Sequence, residues 1–181
     1  NYEIKVQDKI SYIEEGTGEP LLLLHGLFGA LSNFEHLIEH FRHRNKVIVP
    51  ILPLFDLDIF HSTVNGLENV VQKFIEARGY TGIHLLGNSL GGHIALYHTK
   101  MYPEKVAGLV ITGSSGLYES AMGDSYPKRG DYEYIKKKAE DVFFDPKVAT
   151  PELVDEVYAS VNDRIKLIKT LTIAKSAIRH N

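Results

Sequence analysis

Leu21-Leu22-Leu23-Leu24 is apolar at every position, so a strand there must be covered on both faces, as central parallel strands are. It follows the turn cluster Gly16-Thr17-Gly18-Glu19-Pro20 and stops at His25-Gly26. Upstream, Tyr2 to Val6 and Ile10 to Glu15 read as two short strands forming a hairpin across Gln7-Asp8-Lys9. Downstream, Phe34, Leu37, Ile38 and Phe41 fall at helical spacing and predict a helix from Ser32 to Arg44, with Ser32 as its N-cap. Lys46 to Pro50 predicts a strand. Val64, Leu67, Val70, Val71, Phe74 and Ile75 then make an amphipathic helical stripe closed by Gly79. Ile83 to Leu86 is a strand, Leu90 to Tyr102 a helix and Val106 to Thr112 a strand. Strands separated by helical segments in this way build βαβ units and a mostly parallel sheet, with helices on both faces. The class is α/β.

The pattern changes near Gly116. Residues 1–116 form the α/β core, whereas residues 117–181 hold almost no strand-like run. Three helical stretches are predicted there, Asp131–Phe143, Pro151–Val161 and Arg164–Arg179, reached through a loop containing Gly113, Gly116, Gly123, Pro127 and Gly130. They read as a helical cap over the sheet.

Composition narrows the function. With 44% hydrophobic and 24% charged residues in a chain of 181, the sequence is globular, and neither disordered nor fibrous. A net charge of -3 gives no general field for nucleic acid or an anionic membrane, so neither is an expected partner. Zero cysteines exclude disulfides, thiol chemistry and cysteine-ligated metals. No apolar run approaches the about 20 residues needed to span a bilayer. Asn1 is not an initiator methionine, which fits a trimmed leader or first residue, and a cytoplasmic location is expected. No phosphate loop, metal signature or dinucleotide fingerprint is present, so no cofactor and no metal are implied.

The sharpest local signal is Gly87-Asn88-Ser89-Leu90-Gly91, between an apolar strand and a helix. Gly-x-Ser-x-Gly in that setting is a nucleophile elbow, a strained turn that projects the serine hydroxyl above the sheet. Side chains two residues to either side would collide with neighbouring elements, hence the glycines. The helix starting at Leu90 aims free N–H groups at an anion formed beside Ser89. His25-Gly26-Leu27-Phe28-Gly29 lies at the same carboxyl edge of the sheet, where α/β folds bind ligands. The backbone N–H groups of Leu27 and Leu90 are the expected oxyanion hole. Phe28 and Asn88 are the expected substrate-binding residues, Asn88 being polar at a buried spot beside the serine. His25 reads as a loop histidine satisfied by local backbone rather than as a base.

Taken together, His25-Gly26, the strand Val47–Val49, the elbow, Tyr102-Pro103-Glu104-Lys105-Val106 and the strand after it resemble the α/β-hydrolase fold superfamily, over the whole chain. Gly87-Asn88-Ser89-Leu90-Gly91-Gly92 is similar to elbows of the serine-nucleophile branch with a helical cap, including hydrolases of aromatic meta-cleavage products and small-molecule esterases. Where the carbon–carbon hydrolases carry a Gly-Pro-Gly-like stretch, this chain has Leu27-Phe28-Gly29. The resemblance implies a core whose first six strands are present, with later strands absent from this chain. It also implies a serine-dependent hydrolase of a small, fairly apolar ester or ketone, with esterase and C–C hydrolase both open. Serine in place of aspartate at the elbow argues against dehalogenase and epoxide-hydrolase chemistry.

A serine of this kind needs a histidine and a carboxylate, in the order nucleophile, acid, histidine. After Ser89 only His93, His98 and His180 remain. The first two lie in the helix leaving the elbow and read as packing residues, while His180 sits at the end of a cap helix with nothing after it to hold the ring. An acid just after the strand Val106–Thr112 is ruled out by Thr112-Gly113-Ser114-Ser115-Gly116. Both partners are therefore expected beyond Asn181, and the chain reads as cut at the end of its cap. The expected partners are a small-molecule substrate and either a second copy of the chain or the C-terminal remainder of the same protein. The competing class is a catalytically idle module that keeps the fold and binds a small molecule or a protein.

In the cap, Tyr118, Met122, Tyr126, Tyr132, Tyr134, Phe143 and Phe144 either bury the cap on the core or roof a pocket. Lys136-Lys137-Lys138 and Arg164, Lys166, Lys169, Lys175 and Arg179 read as solvated helix faces, with attraction of an anionic carboxylate substrate as the alternative. Asp56 and Asp58 read as turn residues unsupported by histidine pairing, not as metal ligands.

Overall fold

The computed structural model describes residues 2–28, 32–117 and 128–179. Their strands are β1 (Lys5–Gln7), β2 (Ile10–Glu15), β3 (Glu19–Leu24), β4 (Asn45–Pro50), β5 (Ile83–Asn88) and β6 (Val106–Thr112). They form one six-stranded sheet in the order β1-β2-β4-β3-β5-β6. The leucine run lies in β3, which pairs in parallel with β4 on one side and β5 on the other. Its side chains divide by parity, as a strand's period of two requires. Leu21 and Leu23 pack with Ile38, Val47 and Val49 on the face carrying α1 (Glu35–Phe41). Leu22 and Leu24 pack with Ile48, Leu67, Phe74 and Ile94 on the face carrying α2 (Val64–Ala77) and α3 (Leu90–Met101). Each such leucine contributes about 1.5–3 kcal/mol by leaving water.

The chain goes from β3 to β4 on one side and then crosses to β5 on the other. The carboxyl ends of β3 and β5 are therefore adjacent where the winding direction reverses, the crevice where open α/β sheets bind ligands. The loop after β3 and the elbow after β5 meet there.

The first predicted strand and the first predicted helix of the core differ from the structure. β1 covers Lys5–Gln7 rather than Tyr2–Val6, because Asp8 (φ 49°) and Lys9 (φ 70°) form a tight two-residue turn that sets Gln7 opposite Ile10. The helix expected over 32–44 is a 3₁₀ turn at Ser32–Phe34 followed by the shorter α1, whose N-cap position is Phe34 rather than Ser32. It stops early because Arg44 N–H already bonds Phe41 O as the chain turns into β4.

Beyond residue 117 the helices are α4 (Tyr132–Glu140), α5 (Pro151–Asn162) and α6 (Arg164–Arg179). Asp131 caps α4 by accepting from Tyr134 N–H, and Thr150 caps α5 by accepting from Leu153 N–H. α4 and α5 share an apolar cluster of Ile135, Val157 and Val161, against which Tyr134 and Phe28 pack. Phe144, by contrast, is fully exposed, and Tyr132 donates from its hydroxyl to Asp155. α6 lies on α2: Ile173 and Ala177 join the apolar cluster of the sheet, and Val64 N–H donates to Ser176 Oγ. Tyr118, Met122 and Tyr126 lie outside the described residues. Among the described residues no helix is long and apolar enough to cross a membrane.

One polar pair sits inside this packing. Glu68 falls within the apolar stripe of α2 and meets His98 of α3, Nδ1 to Oε1 at 2.9 Å, both side chains almost wholly buried. Removing one partner of such a pair strands the other without solvent. Glu68→Ala is expected to lower the free energy of unfolding by about 3 kcal/mol, read from urea denaturation.

Candidate active site

Ser89 stands between β5 and α3 with φ 55° and ψ -118°, a backbone conformation rare outside glycine, and its side chain is exposed. Holding a residue there costs on the order of 1–3 kcal/mol, which the surroundings must offset. Ser89 N–H donates to Thr112 O at 3.0 Å, and Ser89 O accepts from His93 N–H at 3.2 Å and Ser115 N–H at 3.3 Å. Asn88 Nδ2 donates to Thr112 O at 3.2 Å and to Thr112 Oγ1 at 3.1 Å. The last residue of β6 and the segment after it thus grip the elbow from one side. Thr112-Gly113-Ser114-Ser115-Gly116, expected only to lack a carboxylate, is part of what holds the turn at Ser89.

The glycines act as the steric argument requires. A Cβ on Gly91 would lie 2.0 Å from Leu24 O, and one on Gly87 would lie 2.3 Å from Gly91 O. Both neighbours are backbone and cannot swing aside, so α3 approaches the end of β3 only without side chains here. Gly26 completes the contact, since a Cβ there would sit 3.1 Å from Ser89 Cβ and 3.5 Å from Ser89 Oγ.

The sheet thus brings together Ser89, Leu90 and the start of the loop holding Leu27 and Phe28. Leu90 is the first residue of α3, whose opening N–H groups have no intrahelical acceptor. Leu27 follows Gly26 and is half-buried, and Phe28 turns toward α4 and α5. Gly29 lies outside the described residues. Asn88 is half-buried, with its amide nitrogen directed to Thr112.

His25 is buried and doubly engaged. Its Nδ1 lies 2.7 Å from Gly26 O, and Leu52 N–H donates to its Nε2 at 2.9 Å. Since Nε2 accepts, the ring is the neutral tautomer carrying its proton on Nδ1. It ties the loop after β3 to the segment after β4. Burial lowers its pKa below the usual 6.5, outweighing the bond to Gly26 O. His93 is buried next to the elbow, with Nδ1 3.3 Å from Ser115 Oγ. His98 is committed to Glu68, and His180 lies outside the described residues. A correction concerns Asp58: it is paired with a histidine, His61 Nδ1 lying 2.6 Å from Asp58 Oδ2 on an exposed turn. The i,i+3 spacing of Asp58 and His61 was the signal for it. Among the described residues no cluster of three or more His, Asp or Glu side chains is placed to hold a metal.

A mostly parallel sheet, in which β2 pairs antiparallel with β1 and β4, a serine at a strand-to-helix elbow and a glycine loop beside it where the winding reverses define the class. The family model described as the alpha/beta hydrolase fold matches residues 19–142, and the chain belongs to that family. It is 30% identical over 124 residues to Lipase 1 of Psychrobacter immobilis, covering 65% of this chain and 39% of the lipase. It is 26% identical over 189 residues to a 2-hydroxy-6-oxo-6-phenylhexa-2,4-dienoate hydrolase of Burkholderia cepacia, covering 94% of this chain and 66% of that enzyme. The chain thus spans less than two thirds of the length of these relatives. Among solved structures, an alpha/beta hydrolase enzyme from a sediment metagenome of the Mar Chica lagoon, Morocco, is 43% identical. It superposes with a TM-score of 0.77 over 99% of this chain and 67% of that one. These relatives are hydrolases, a lipase and a 2-hydroxy-6-oxo-6-phenylhexa-2,4-dienoate hydrolase among them.

Two outcomes test this geometry. Gly91→Ala is expected to destabilise the fold by about 3 kcal/mol or more in urea unfolding, because its Cβ meets backbone. The second concerns His25, whose protonation would cost the acceptor for Leu52 N–H. A depressed folded-state pKa makes its contribution complete above the unfolded value of 6.5 and progressively lost as pH falls below it. The unfolding midpoint should fall more steeply below that pH in the parent than in His25→Gln.

Proposed function

We propose that the protein is a serine-dependent hydrolase of small, fairly apolar esters, with Ser89 as nucleophile and the N–H groups of Leu27 and Leu90 as the oxyanion hole. The observation that carries the reading is the strained, exposed Ser89 at the N-terminus of α3, in contact with Gly26. Positive φ is costly for a serine, and here it turns the side chain out of the sheet beside the first N–H groups of α3. In this reading Ser89 Oγ attacks the substrate carbonyl carbon as its proton passes to a histidine. The carbonyl oxygen takes up the negative charge between the two N–H groups, and the carbonyl re-forms as the C–O bond to the alcohol breaks. The alcohol leaves with the proton from that histidine, and water then releases the acid and restores Ser89.

His25 has both ring nitrogens turned to Gly26 and Leu52, and His98 has its Nδ1 turned to Glu68. The base of this reading is a histidine beyond Asn181, in the further length that the relatives have, oriented by a carboxylate. Phe28, packed on α4 and α5, links the oxyanion loop to a cap formed by residues 117–181 that shapes the substrate pocket. Carbon–carbon bond hydrolysis is a second reading, supported by the Burkholderia cepacia relative that aligns with 94% of the chain.

In the full-length protein, short-chain ester turnover should fall at least about 1000-fold on Ser89→Ala, from loss of the nucleophile. Equal rates in parent and variant would instead favour a non-catalytic binding module.

A further inference from the structure

His25 and Leu27, the two neighbours of Gly26, both line a cavity of about 350 Å³ between the segment after β4 and helices α5 and α6. That volume suits a small organic ligand, and Gly26, between these two lining residues, lies beside Ser89, since a Cβ on it would sit 3.5 Å from Ser89 Oγ. Its walls are mostly apolar, with three charged side chains: Asp56, Glu156 and Lys166.

These charges are not equivalent. Asp56 and Glu156 are exposed and keep their water, whereas Lys166 is half-buried, with Nζ 5.4 Å from the centre of the Phe55 ring. Lys169, one turn further along α6, donates from Nζ to Phe55 O at 2.7 Å. Reading these two lysines as part of a solvated helix face is therefore corrected. Lys166 forms no ion pair among the described residues, although two carboxylates share its cavity. Half-burial lowers the effective dielectric around the Lys166 side chain, which strengthens its attraction for a ligand carboxylate.

We infer that this cavity receives the part of the substrate remote from the bond cleaved, and that this part ends in a carboxylate held by Lys166. The inference rests on the Ser89 reading for the placement of the reacting bond. The substrate class is then an ester with an apolar chain and an anionic far end, such as the half-ester of a dicarboxylic acid. The chain lies along Leu27 and Phe55, and Asp56 and Glu156 disfavour an anion at the rim.

The test is calorimetric titration of the full-length Ser89→Ala protein, which holds ester without cleaving it, with monoethyl adipate and with ethyl hexanoate. These probes differ by the terminal carboxylate. The adipate half-ester should bind about tenfold tighter, as one charge-assisted hydrogen bond supplies. Lys166→Met should bring the two to parity, and Lys166→Arg should retain the preference. In the Lys166 protein itself, added sodium chloride should weaken the half-ester but not the neutral ester, which gives the same reading if a substitution unfolds the chain. Parity in the Lys166 protein, a preference that survives in Lys166→Met, or no binding of either ester would overturn the inference. Turnover by the Ser89 protein is scored separately: absence of ester cleavage counts against the nucleophile, while Lys166-dependent binding stands or falls by the titration.

Discussion

The first turn of α3 lies against the backbone at the end of β3, and the site depends on that contact. Leu24 O occupies the space where a side chain on Gly91 would be, and Gly91 O occupies the space beside Gly87. Because β3 and β5 pair with Leu24 opposite Gly87, the two strands deliver their following loops to one point. There Ser89 is turned out of the sheet and Gly26 is brought against it. The strain at Ser89, on the order of 1–3 kcal/mol, is offset by hydrogen bonds from the end of β6 and the segment after it and by the apolar layers that hold β3 in place. Loosening either side would let the elbow relax and withdraw the hydroxyl.

Much of this was legible in the residue pattern, for stated reasons. A strand of four consecutive leucines can be buried only where both its faces are covered, and Leu21 to Leu24 are so divided. Gly87 and Gly91 flank Ser89 at the spacing an elbow demands, and the close contacts explain both. What escaped the pattern depends on long-range packing. Asp8 and Lys9 adopt positive φ without being glycine, because the pairing of β1 with β2 imposes the turn. Glu68 reads as a polar helix position until α3 presents His98 to it. Lys166 reads as a solvated residue of α6 until the segment after β4 is folded beneath it. In each case the partner is 15 or more residues away or set by a turn, where periodicity carries no information.

The histidines show how a residue type associated with catalysis is used for structure. His25 joins the loops after β3 and β4 through its two ring nitrogens, and His98 joins α3 to α2 through Glu68. Each fixes an element that borders Ser89: the loop after β3 in one case, the helix beginning at Leu90 in the other. Phe28 and Lys166 extend the same framework into the helices beyond residue 117. The crevice is thus braced by the sheet below and by α4, α5 and α6 beside it.

The central claim is that Ser89 is a nucleophile, and active-site labelling tests it most directly. The full-length protein would be treated with a fluorophosphonate, digested and mapped by mass spectrometry. One covalent adduct, on the peptide containing Ser89 and abolished by prior denaturation, is the predicted result. No adduct, or an adduct at another serine such as Ser115 with Ser89 unmodified, would contradict the account.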